Sequence, residues 1–419
     1  MRQQSFRMVT FVLIVICGIC GLATFAAAQA ESQPPTVKLK NYSPSKKVQI
    51  NKDTVRGAVN SQRGASGVLL PVWNYEVVSS RDGNLYDGII VGQNPADKAN
   101  PSVTVSGQLV PIILKTHTVG TAVNRTTGVI TTAAGDTTFD PTVADACLAA
   151  PNNVPVRLMR QSPVLSDADF NFGGTDLGTT QYVDAFQRAN FWKVIDKKDY
   201  HVRLTPTVLA PLVIDVPVGF GLAVEPGVLR NKCAPFGIVD INLLDFIVTS
   251  AFAQLAHKGV NPKTFPMFML YNSGMSFGDP TNLNNCCAGG YHSINPAGPL
   301  TFQTYSPFDF DTSGVFGTSS LDTAIASHEV GEWMNDPYLI NPTPSWGHVG
   351  QVGGCQNNYE VGDPLTGKES SRIVMKNGYT YHLQELAFFS WFYGAPSLGL
   401  DGWYSNNGTF LTDAGPVCQ

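Results

Sequence analysis

Charge is scarce in this chain. Only 14% of its 419 residues are Asp, Glu, Lys or Arg, and counting along the sequence gives eight Glu and seven His. With so few, a pair of glutamates at fixed spacing from one histidine is a poor candidate for accident. Acidic residues outnumber basic ones by 32 to 27, which argues against nucleic acid and anionic membranes as partners. No long apolar run follows the first 25 residues, so no stable membrane span is expected once an N-terminal signal is removed. There is no Gly-x-Ser-x-Gly elbow, no phosphate-binding loop and no GxGxxG fingerprint, which removes support for a serine hydrolase or a nucleotide enzyme. No CxxC pair follows residue 30, so a cysteine-rich zinc site lacks its usual spacing. Internal repeats are absent, as is low-complexity sequence after residue 66.

Glycine and proline are plentiful, at 40 and 28, which points to a strand- and loop-rich protein. The chain opens with Arg2 and Arg7, runs apolar from Met8 to Phe25 and then reads Ala28-Gln29-Ala30. This is the pattern of a secretory signal cleaved after Ala30, with an uncleaved anchor as the alternative. A secreted or periplasmic location follows. Six cysteines remain beyond the signal: Cys147, Cys233, Cys286, Cys287, Cys355 and Cys418. An even number in an exported chain suggests up to three disulfides, with the adjacent Cys286 and Cys287 expected to bond to different partners.

Residues 31–66 are polar and without periodicity and read as a disordered leader. Residues 67–235 read as a β-rich N-terminal region, with strands at 68–75, 86–91, 102–105, 110–114 and within 203–216. A short helix is expected over 141–148 and a packing helix over 181–192. Residues 236–419 read as a metal-binding domain. Its first helix spans 241–257, with Leu244, Ile247, Val248, Ala251, Phe252 and Leu255 at helical spacing, and a buried strand follows at 265–271.

The helix that matters most for function is predicted from Ser319, a cap with Asp322 three residues on. Leu321, Ile325, His328 and Glu332 then share one face. That face begins apolar and ends with an imidazole and a carboxylate, an arrangement that is costly to bury unless a cation compensates it. Glu329 lies at its edge, where it can hold and deprotonate a water. A surface helix, or a core histidine bonded to a neighbouring glutamate, is the competing reading. The motif is HExxE, the zincin arrangement with its second histidine replaced by glutamate. It predicts Zn2+ held by His328 and Glu332, with Glu329 as general base.

A third ligand is required. The position ten residues after His328 is Tyr338, which breaks the metzincin pattern. Asp336, before Pro337, reads as a loop anchor rather than a ligand. Glu360 is the leading third ligand and Asp363 its rival, both within Asn358-Tyr359-Glu360-Val361-Gly362-Asp363-Pro364. His292 is a candidate ligand or a donor to an oxyanion, and Tyr359 a candidate for the second of these roles. His348 and His382 read as structural, while His117, His201 and His257 have no chemical context.

Cys286-Cys287 with Gly290-Tyr291-His292-Ser293, the run SHEVGEWMNDP at 327–337, Trp346 and YEVGDP at 359–364 together resemble exported bacterial proteins with an HExxE zincin-like motif. Arg81-Asp82-Gly83, Gln161-Ser162-Pro163 and the segment from Gln181-Tyr182 to Phe191-Trp192 extend the likeness over most of the chain. A more distant similarity is to plant phosphate-induced, Exordium-like proteins. The resemblance implies His328 and Glu332 as ligands and Glu329 as base. The fold expected is α+β: a zincin-like catalytic domain, with a mixed sheet and an active-site helix, joined to the β-rich N-terminal region. The function expected is a secreted zinc hydrolase, most simply a metallopeptidase acting on protein or peptide. The alternative is a non-catalytic extracellular adhesion or carbohydrate-binding protein, with a structural or degenerate metal site and surface aromatics such as Trp73 or Trp403. Oligomeric state is not legible.

Overall fold

One strand organises the molecule. In the computed structural model, which describes residues 51–61, 69–97, 102–349 apart from 196 and 198, 355–416 and 418, Ser102–Val123 runs as a single strand of 22 residues. The sequence had suggested two short strands there. Its first half pairs in parallel with His201–Val208 and with Thr264–Tyr271. Its second half pairs antiparallel with Ile130–Phe139 and parallel with Leu212–Asp215 and Gly221–Val224. These contacts seed a mixed, curled sheet of eleven strands.

Among the described residues six helices accompany it: α1 (Lys52–Ser61), α2 (Pro155–Gln161), α3 (Tyr182–Asn190), α4 (Ile241–Leu255), α5 (Ala324–Asn335) and α6 (Phe389–Tyr393). Strand periodicity assigns them to faces, since successive side chains of Thr264–Tyr271 point to opposite sides of the sheet. Phe268 and Leu270 pack with Leu243, Leu244, Ile247, Val248 and Ala251 of α4. Phe265, Met267 and Met269 join the larger core that includes α3 and α5. The Asp240 carboxylate caps α4 by accepting from the Leu243 N–H at 2.8 Å, a standard N-cap contact.

Three expectations change. The sequence read 31–66 as a loose leader, yet Lys52–Ser61 is helical, with Val55, Ala58 and Val59 buried. Those three positions are spaced i, i+3, i+4, a short apolar stripe hidden in a polar stretch. Residues 141–148 form turns rather than a helix. There the Asp140 and Asp145 side chains accept from the Thr142 and Cys147 N–H groups at 2.8 and 2.6 Å, a local alternative that competes with helix. Cys286 and Cys287 bond to each other, while the remaining four pair as Cys147–Cys233 and Cys355–Cys418. Once those four join distant segments, the adjacent cysteines have only one another.

The expected boundary between 235 and 236 falls inside the sheet. Phe236–Asp240 pairs with Gly221–Val224, and Thr264–Tyr271 with Ser102–Val123. The fold is α+β, as expected. Among the described residues, no helix is long and apolar enough to cross a membrane. The expected signal at 1–30 lies outside the described residues.

Candidate metal centre

Helix α5 is buried along almost its whole length. Trp333 anchors it to the sheet by stacking on Phe265, with ring centroids 3.7 Å apart, and by donating from Nε1 to Thr304 Oγ1 at 3.0 Å. Gly331 faces Leu386, whose Cδ1 would lie 2.7 Å from an added Cβ. The helix begins at Ala324, later than predicted, and Ser319 is not its cap. Asp322 instead ties its start to the strand Thr380–Gln384. Its Oδ1 accepts from the Thr323 and His382 N–H groups at 2.6 and 2.8 Å, and its Oδ2 pairs with His382 Nδ1 at 2.6 Å. At the other end Asp336 accepts from the Ile340 and Asn341 N–H groups. It is the loop anchor that the sequence suggested.

This framework turns His328, Glu329 and Glu332 into a cleft of about 450 Å3. The opposite walls are the loop that follows the Cys286–Cys287 pair and the segment 356–367. Close approach is built in. A Cβ on Gly290 would lie 2.6 Å from Glu329 Cγ, and one on Gly362 2.6 Å from His328 Cγ.

Six of the seven site residues nominated from sequence meet here. His328 Nε2 lies 3.0 Å from Glu332 Oε1 and 3.5 Å from Asp363 Oδ1. His292 Nδ1 lies 3.6 Å from Glu332 Oε2 and 3.9 Å from Glu329 Oε2. Glu360 Oε2 is 3.7 Å from His292 Nε2. Asp363, the rival third ligand, therefore sits beside His328, while Glu360 flanks His292. Tyr359 is the exception. It is fully buried, bonded to Asn335 Oδ1 at 3.1 Å and packed on Tyr75, Phe389 and Phe392. Just past the strand Gln356–Asn358, Glu360 lines the cleft while Tyr359 lies in the core.

Both histidines are oriented by outer partners. Gln384 Oε1 lies 3.0 Å from His328 Nδ1, and Gln384 Nε2 donates to Gly362 O at 2.8 Å. An amide oxygen only accepts, so Nδ1 carries a proton, and Nε2, which faces Glu332 and Asp363, is the atom a cation would engage. His292 Nε2 donates to Asp336 O at 3.1 Å, which leaves Nδ1 facing the carboxylates. Gln356 Nε2 donates to Asp363 Oδ2, and Asn358 Nδ2 to Glu360 Oε1. The sequence reading missed Gln384, Gln356 and Asn358. A single polar side chain on a distant strand carries no motif, and only the fold brings Gln384 to His328.

The metal-free electrostatics are strained. Burial works against ionisation of His292, but Glu360, Glu332 and Glu329 outweigh it and carry its pKa to about 10. Burial lifts Glu329 to about 8. Burial also opposes ionisation of Glu332, yet His328 and His292 hold it at about 2. Burial raises Glu360 as well. Glu329 Oε2 and Glu360 Oε2 are buried without a hydrogen-bond partner, a cost of about 1–3 kcal/mol or more for each such group. A divalent cation relieves this. The residues fit one: imidazole nitrogen and carboxylate oxygen, with outer hydrogen bonds that free the ligating atoms. The triads His328–Glu332–Asp363 and His292–Glu329–Glu332 each bring their ligand atoms within 4.8 Å of one another. Such donors suit zinc and other first-row divalent ions and do not choose among them.

Comparison with protein-family models, curated proteins and solved structures gave no match.

Proposed function

We propose that this protein is a metal-dependent hydrolase of the zincin-like kind, exported, acting on peptide bonds with zinc as its cofactor. The observation that carries the reading is the buried HExxE helix. It presents one oriented imidazole and two carboxylates to an open cleft, and one oxygen of the central glutamate has no partner in the protein. His328, Glu332 and Asp363 would hold the ion. When bound, it supplies Lewis acidity, polarising a carbonyl and lowering the pKa of a water.

The remaining steps belong to the chain. Glu329 takes a proton from the attacking water and returns it to the leaving amine, the general-base and general-acid role of a buried carboxylate beside the ion. Gln384 keeps the His328 proton on Nδ1. Buried His292, with Nε2 held by Asp336 O, donates from protonated Nδ1 to developing negative charge on the substrate. The resemblance to exported HExxE proteins points the same way. The aromatic candidates of the adhesion alternative are partly buried. Trp73 and Trp403 are packed against the core, Trp73 edge-on to Phe191 at 5.7 Å.

A mixed peptide library incubated with zinc-loaded protein tests the reading. Cleavage that stops in chelator and returns with zinc is the expected result. Cleavage that persists unchanged in chelator would contradict it.

A further inference from the structure

The six side chains of the cleft do not converge on one point. His328 Nε2 faces Glu332 Oε1 and Asp363, whereas His292 Nδ1 faces the other oxygen, Glu332 Oε2, and Glu329. Two triads result, and Glu332 is the member they share. We infer that the cleft holds two divalent cations bridged by Glu332, one at His328, Glu332 Oε1 and Asp363, the other at His292 Nδ1, Glu332 Oε2 and Glu329.

Three independent features support the second position. His292 Nε2 donates to Asp336 O, so Nδ1 is the ring atom turned to the Glu332 and Glu329 oxygens, the atom a cation would take in place of a proton. Glu329 Oε2, in a residue only 4% exposed, has no hydrogen-bond partner and points at that nitrogen. Among the described residues, those lining the cleft include four carboxylates, Glu329, Glu332, Glu360 and Asp363, and no Lys or Arg. One divalent ion cancels two of those charges, and two ions cancel all four. Carboxylate-bridged pairs of cations are a known way to satisfy such a site. Filling the second position withdraws Glu329 and His292 from proton transfer, so the one-ion form is the hydrolytic one.

The inference rests on the metal reading above, and zinc titration of the metal-free full chain separates the two. Calorimetry and elemental mass spectrometry should find about two zinc ions per chain, falling to about one in His292→Ala and to about one in His328→Ala. One zinc that survives His292→Ala overturns the second position and leaves the hydrolase reading intact. One zinc lost in both variants means a single site served by both histidines and also overturns it. No zinc at all overturns both. Paramagnetic resonance of wild type titrated with Mn2+ needs no variant. Above one equivalent the spectrum should become that of a coupled pair, and an uncoupled six-line spectrum at two bound equivalents would rule out the bridge.

Discussion

Helices α3 and α5 pack against each other in the same core. Both are buried on nearly every side, and both carry an acid beside a histidine. In α3, Asp184 Oδ2 accepts from Thr180 Oγ1 at 2.6 Å and from His201 Nδ1 at 2.7 Å, and Oδ1 accepts from the Val202 N–H at 2.6 Å. Every lone pair that needs a partner finds one inside the protein, and Asp184 is fully buried. In α5, Glu329 and the facing Glu360 each keep an oxygen with no partner, and both line a cleft. A buried acid saturated by internal donors is a structural pin. A buried acid left short, at the edge of an open space and beside an imidazole nitrogen that faces only carboxylates, is built for something that is not protein.

That contrast can be broken by substitution. The largest effect expected is on turnover: Glu329→Gln should keep the ion at His328, Glu332 and Asp363 and lower peptide hydrolysis by about 10²–10⁴-fold, as read by steady-state rates beside metal analysis. In the other helix, Asp184→Ala strands the Thr180, His201 and Val202 donors. It should cost about 3–5 kcal/mol in denaturant unfolding and leave metal content unchanged; loss of metal in that variant would erase the distinction between the helices. Gln384→Ala removes the partner of His328 Nδ1. It should weaken zinc binding by about 10–100-fold in competition with a chromogenic chelator, with little change in fold by circular dichroism.

The smallest expected effect is on pH. In chelator, the native protein retains a proton on Glu329 between its ordinary value of 4.5 and about 8, and on His292 between 6.5 and about 10. The unfolded chain has already released both. The native state therefore binds more protons across these windows, and its stability falls as pH rises through them. Melting temperature in chelator should decline from about pH 5 to about pH 9. Saturating zinc, which binds the deprotonated groups, should flatten or reverse the slope.

Much of this was legible in the sequence. Periodicity gave α4 and the strand at 264–271 nearly to the residue. HExxE spacing assembled His328, Glu329 and Glu332 because a helix fixes their relation locally. Asp363, Glu360 and His292 were found as acids or imidazoles beside turns, but their division between two sides of Glu332 depends on how the loops after Cys287 and Gln356 cross the helix. Tyr359 was misplaced because a loop's side-chain alternation cannot be phased without its neighbours. Helix α1 hid in polar composition, and Ser102–Val123 was cut in two because its pairing with five other strands is a property of the sheet rather than of the segment. Gln384 left no trace, since its role exists only through contact with His328.

The central claim is that the α5 cluster holds a divalent cation. Elemental mass spectrometry of the purified protein, loaded with zinc, desalted and run beside His328→Ala, tests it most directly. At least about one zinc per chain, with about one fewer in the variant while its circular dichroism is unchanged, is the result predicted. Wild-type protein that stays free of metal after loading would contradict the account, and α5 would then be, like α3, a helix whose buried acids serve the fold alone.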